Sequence, residues 1–267
     1  MVEAFWLHTR THLRFFARSR VLLGLGVVLG LIASLGAISF LLMGSSNDRF
    51  QTLKAISAQL HWFGWFYTAG MGLFAYWWHT TQRTTTLVFT RDGRPEVWLA
   101  SIFGSAFLAA AIVHGLSLVV TLGLSLAWGI PWQSGFLWLA IDGFCESVIV
   151  VSVLTGLSAV LHPIVALLVV ALFTERLFYE IDVELLGYLQ AKGASAILAA
   201  LEHVVRAIHF AAPMFDPYSQ HTGTVETTLR TARGDWFYLG ATACYAAAVF
   251  AFWFTFADYR IRRRVLN

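Results

Sequence analysis

The chain has 267 residues, of which 58% are hydrophobic and only 12% charged, with a formal charge of +3 and a mean hydropathy of +0.68. This leaves no room for a sizeable water-soluble domain and puts the chain in the membrane class. Of 18 basic residues only Lys54 and Lys192 are lysines. No basic face interleaved with aromatics occurs, so nucleic acid is not an expected partner, and the arginines read as topogenic.

The chain opens on a basic, aromatic segment. Residues 4–20 read as a helix lying on the membrane surface, with Phe5, Trp6, Leu13 and Phe16 on one side and Arg10, Arg14 and Arg18 as a stripe beside them. The following apolar run is too long for the core of a cleavable signal peptide. A spanning helix needs about 20 mostly apolar residues, and six stretches qualify: 21–43, 60–78, 97–128, 136–161, 164–179 and 236–257. Trp62, Trp77, Trp78, Trp98, Trp128 and Trp236 stand near their ends, as interfacial anchors do. Spans four and five form a tight hairpin at His162-Pro163.

Arginine placement sets the expected orientation. With the N-terminus inside, six spans return the C-terminus inside, and eleven basic residues from Arg10 to Arg264 fall on that side, against seven outside. The expected fold is thus an all-α integral membrane protein of six transmembrane helices, N-in and C-in, forming a single domain over 1–267. It divides into an interfacial helix (1–20), five spans (21–179), an outer helical hairpin with its loop (180–235), span six (236–257) and a cytoplasmic tail (258–267). In the outer piece, residues 195–210 read as a second apolar helix carrying a Glu202–Arg206 pair at i,i+4. The expected location is the cytoplasmic membrane, multi-pass, in a prokaryote.

The inner loop between spans two and three is the most distinctive polar stretch. Thr84-Thr85-Thr86-Leu87-Val88-Phe89 precedes Arg91-Asp92-Gly93-Arg94-Pro95-Glu96. As a short helix ended by Asp-Gly and Pro, it presents three consecutive apolar residues to something other than lipid. Within the spans, Asp142 and Glu146 lie one turn apart and share a face. Glu175 and Arg176 interrupt span five. Counted from the 162–163 turn, Glu146 and Arg176 fall near one depth, which predicts that they pair. Such residues are either a structural ion pair or part of a translocation path.

His61 and His79 fall at opposite ends of span two, His114 stands in the middle of span three, and no HExxH, CxxC or CxxCH occurs. No metal site and no cofactor are expected in this chain, and His114 reads as a hydrogen-bonded core residue. Cys145 and Cys244 read as two buried small hydrophobes. Neither lysine follows a glycine, so there is no phosphate-binding loop. ATP-driven work would need another subunit.

The order of basic interfacial helix, span, outer loop, span, inner helix, four further spans and arginine-rich tail resembles the membrane permease of six-helix, exporter-class ABC transporters. The resemblance covers essentially the whole chain. Thr85-Thr86-Leu87-Val88-Phe89 and Pro95 occupy the places of the family's inner helix and its turn, and Tyr259-Arg260-Ile261-Arg262-Arg263-Arg264 is similar to the family's ending. Thr85 stands where a glycine is usual and Val88 where a glutamate is. The resemblance implies a coupling helix of Thr85, Thr86, Leu87, Val88, Phe89, Arg91, Asp92 and Arg94 docking on a cytoplasmic ATPase subunit. Two such subunits, which bind ATP and Mg, would drive two permease copies, this chain with itself or with a sister, to export a hydrophobic, amphipathic or lipid-linked substrate. Two other readings stay open. One is a permease-like subunit passing force to an outer-face partner. The other is a redox or lipid-modifying membrane enzyme using His61, His114, His203 or the Asp142/Glu146 pair.

Overall fold

A computed structural model describes residues 2–43, 49–81, 95–132, 134–172, 181, 185, 196–211 and 236–266, and among these every regular element is an α-helix. In chain order they are α1 (Val2–Arg18), α2 (Arg20–Met43), α3 (Arg49–Thr81), α4 (Pro95–Ala127), α5 (Ser134–Ser158), α6 (Pro163–Leu172), α7 (Ala196–Ala211) and α8 (Trp236–Leu266). Three of them are long and apolar enough to cross a membrane, over Glu96–Ala127, Gly135–Ser158 and Leu239–Arg263.

The bundle is built around α5. Its apolar window is 78% buried, against 22% for α4 and 17% for α8, so α5 is enclosed by protein while its neighbours each keep one side open. α5 packs on α3, α4, α6 and α8, and α2 lies against α3. The outward sides carry Val27, Leu31 and Leu35 on α2, Leu116 and Val119 on α4 and Phe252 on α8, all exposed. In water such a surface would aggregate; against acyl chains it is the expected outer face of a membrane protein.

Local chemistry explains the turns. Gly129 ends α4 at φ 67°, a conformation that costs glycine nothing. The Ile130 amide donates to the Ser125 carbonyl and the Gly129 amide to the Leu126 carbonyl, the paired bonds that close a helix at a left-handed glycine. After α5, Pro163 starts α6 with its preset φ, and the Ala166 amide donates to the His162 carbonyl. The turn expected at His162-Pro163 is present.

Several expectations are corrected. α3 begins at Arg49 rather than near residue 60. Its first turns carry polar residues that dilute the hydropathy, yet Leu53 is fully buried in a cluster with Phe136, so tertiary packing holds these turns helical. On α1 the docked face is Phe5, Thr9, His12 and Phe16. Thr9, His12 and Phe16 are buried and Trp6 is 57% exposed, so this helix packs mainly on α4 through a partly polar face. Trp98 is a core residue at 2% exposure, not an interfacial anchor. Cys145 is buried as expected, but Cys244 is exposed on α8. α8 also runs on as one helix through the arginines of the tail.

Candidate functional site

Asp142 and Glu146 stand one turn apart on α5, both buried at 3% exposure, as the i,i+4 spacing requires. Facing them are His61 from α3 and His114 from α4. The His61 Nε2 lies 3.0 Å from Glu146 Oε2, with the two side chains 11% and 4% exposed. The two imidazoles are 6.1 Å apart between centroids. Three helices thus bring two histidines and the Glu146 carboxylate to one place inside the bundle, with Asp142 buried one turn away on α5.

The second imidazole is held by a hydroxyl chain. His114 Nε2 lies 2.9 Å from Ser147 Oγ, Ser147 Oγ lies 2.9 Å from Thr68 Oγ1, and Thr68 Oγ1 lies 2.8 Å from the Gly64 carbonyl oxygen. Each hydroxyl has one proton to give. With Thr68 donating to Ser147, the Ser147 proton goes to His114 Nε2; with the other imidazole tautomer the chain runs the opposite way and Thr68 donates to the Gly64 carbonyl. All of these groups are buried, where a satisfied network fixes geometry and a broken one is costly.

Two glycines make the space. A Cβ on Gly64 would stand 2.7 Å from His114 Cε1, and one on Gly143 would stand 2.7 Å from both His114 Cε1 and His61 Nδ1. No side chain is tolerated at such distances, so α3 and α5 can flank both rings only with glycine there. Beside the rings is a cavity of about 10 Å³ lined by Ser57, His61, His114, Ser117 and Thr121 together with Leu118, Phe136 and Leu139. That is room for about one water molecule among polar partners.

Of the residues singled out by sequence, His114, Asp142 and Glu146 come together here. Glu175, Arg176 and the stretch Thr85, Thr86, Leu87, Val88, Phe89, Arg91, Asp92 and Arg94 lie outside the described residues. Glu146, expected to pair with Arg176, has His61 beside it. His61 lies inside α3, which begins at Arg49, and its ring is 6.1 Å from that of His114. Sequence reading missed Thr68, Ser147 and the two glycines. The signal for part of it was there: His61, Gly64 and Thr68 follow i, i+3, i+7, one face of a helix. On α7, Glu202 Oε2 lies 3.2 Å from His203 Nδ1; the Arg206 side chain is outside the described set. Among the described residues no group of three His, Cys, Asp or Glu side chains is arranged to hold a metal ion.

A second polar contact lies at the other end of α4. Arg262 of α8 donates to Glu96 and to Asp258, both at 2.8 Å. Nearby, a His12 ring nitrogen lies 3.1 Å from Ser101 Oγ, tying α1 to α4.

No protein-family model, no curated protein and no solved structure matches this chain.

Proposed function

We propose that the chain is the transmembrane subunit of an ATP-driven, exporter-class ABC transporter of the cytoplasmic membrane, with six spans, both termini inside, and a coupling helix over residues 85–94. It moves a hydrophobic, amphipathic or lipid-linked substrate and works as a dimer, powered by separate ATPase subunits that bind ATP and Mg.

One observation supports this reading most. The arginine-bearing pieces gather at the end of the bundle where the 82–94 stretch joins α4. There α1, with Arg10, Arg14 and Arg18, packs along the first turns of α4 through His12 and Ser101, and Phe5 sits over Gly104. The Arg262 side chain of α8 reaches Glu96, the second residue of α4. Basic residues collected on one side are what a cytoplasmic face carries, and residues 85–94, next to them in the sequence, are the segment this reading assigns to an ATPase partner.

The membrane-enzyme reading draws on the convergence of His61, His114 and Glu146. The exporter reading is preferred because it also accounts for the arginines of α1 and α8 around the start of α4.

The test is purification of the tagged chain from its host in mild detergent, alone and as the Leu87→Asp/Phe89→Asp variant. The expected result is a stoichiometric soluble subunit with a phosphate-binding loop and ATPase activity, lost from the variant. A chain that purifies without such a subunit, or a variant that keeps it, overturns the proposal.

A further inference from the structure

We propose that the His61–Glu146 pair, with Asp142 and His114 around it, is a proton-binding site inside the membrane domain, reached by way of the small cavity beside the two imidazoles. It is independent of the exporter reading, since it needs no ATPase partner.

The donor set selects the ligand. Hard cations such as sodium, magnesium or calcium want several oxygen ligands, and here two imidazoles occupy the centre. Transition metals accept imidazole, but no group of three side chains that could hold one is present among the described residues. A proton needs only the pair. His61 Nε2 and Glu146 Oε2 at 3.0 Å share one proton with no net charge. A second, taken from water, leaves an imidazolium beside a neutral carboxyl with net charge +1. Within a buried site that change in charge alters the interactions among α3, α4 and α5.

A route to the pair is built from neighbouring groups. The cavity has room for about one water in contact with both rings, which stand too far apart to bond directly at 6.1 Å. Beyond it, His114, Ser147 and Thr68 form a continuous hydrogen-bonded chain. Glycine at 64 and 143 keeps both rings in register with this chain. The other titratable groups around the pair are few. Asp142 and Cys145 lie on α5 itself, and His114 comes from α4. Lys54 lies about two turns before His61 on α3. On α8, Tyr245 packs on the core, while α6 over Pro163–Leu172 brings no titratable group.

The test is infrared difference spectroscopy of the full chain in lipid nanodiscs between about pH 8 and pH 5, where imidazoles change charge. The expected spectrum shows the carbonyl band of a protonated carboxyl held out of water. Glu146→Gln abolishes it, and His61→Gln moves its half-rise at least tenfold in proton concentration. A band absent over this range, unchanged by Glu146→Gln, or titrating identically in His61→Gln overturns the proposal. If Glu146→Gln does not fold, wild-type chain with isotope-labelled glutamate carboxyls serves instead. A band that shifts with the label supports the site, and one that does not shift rules it out.

Discussion

The half of α5 from Val148 to Leu154 is buried throughout and the half from Phe136 to Ser147 less completely, with Leu137 exposed, and the two are bound by opposite means. From Phe136 to Ser147 the helix meets two imidazoles and a hydroxyl through Glu146 and Ser147, with Asp142 buried one turn away. From Val148 to Leu154 it is aliphatic apart from Ser152, with Ile149, Val150 and Leu154 fully buried in the same core as Trp98 and Phe103. Each half uses a glycine to admit a ring. Gly143 admits His61 and His114, and Gly156 admits the Trp253 indole of α8. The apolar half spreads its cohesion over many small contacts, so the loss of one is local. In the polar half, whose members depend on one another, removing one strands the rest.

That contrast can be broken most sharply at Glu146. Glu146→Leu leaves His61 without its carboxylate and should cost about 3–5 kcal/mol, as removal of one partner of a buried pair does. The double variant with His61→Leu should recover much of this loss. Denaturant titration in mixed micelles checks it, and additive single costs would show that the two residues are not coupled. In the apolar half, Leu154→Ala should cost about 2–4 kcal/mol through its cavity. A second change nearby should add to it simply, in contrast with the polar half.

The glycines sharpen the comparison at a smaller scale. Gly143→Ala and Gly156→Ala should each cost roughly 1–3 kcal/mol by overpacking. Only the first should also change the histidine resonances in an NMR spectrum; if both or neither do, the two halves are not separate in the way described. Ser147→Ala removes the link between His114 and Thr68 and should cost about 1–2 kcal/mol in denaturant titration. The smallest effect belongs to the exposed end of the bundle. Arg262→Ala breaks contacts to Glu96 and Asp258 at side chains 47%, 44% and 20% exposed, worth under about 1 kcal/mol and weaker in salt. A larger loss would mean that this junction holds α8 to α4 more firmly than an exposed ion pair does.

Much of the helical framework was legible in the chain. The apolar runs predict α2, α4, α5 and α8, and the Asp142–Glu146 face follows from helical periodicity alone. The His162-Pro163 turn is equally readable, since Pro fixes its own φ and starts a helix well. The start of α3 was not readable from hydropathy, because Lys54, Gln51 and Ser57 lower the average while Leu53 and Ile56 are buried. Hydropathy reports how a segment meets lipid, and it is blind to a segment held by protein. α1 misled for a related reason. Its docked face includes Thr9 and His12, so a purely apolar criterion chose Trp6, which stays exposed.

The sequence by itself determined that the chain is helical and belongs in a membrane, since the length and apolarity of a spanning segment are local properties that every such helix must satisfy. It also determined which ionisable residues lie within those segments. Only the tertiary structure decided that His61 meets His114, that α5 is the enclosed helix, and that Gly64 and Gly143 make the space for the imidazoles. Those outcomes depend on how far each helix slides and rotates against its neighbours. Side-chain volume and hydrogen-bond satisfaction set that choice across residues far apart in the chain, and no single segment carries it.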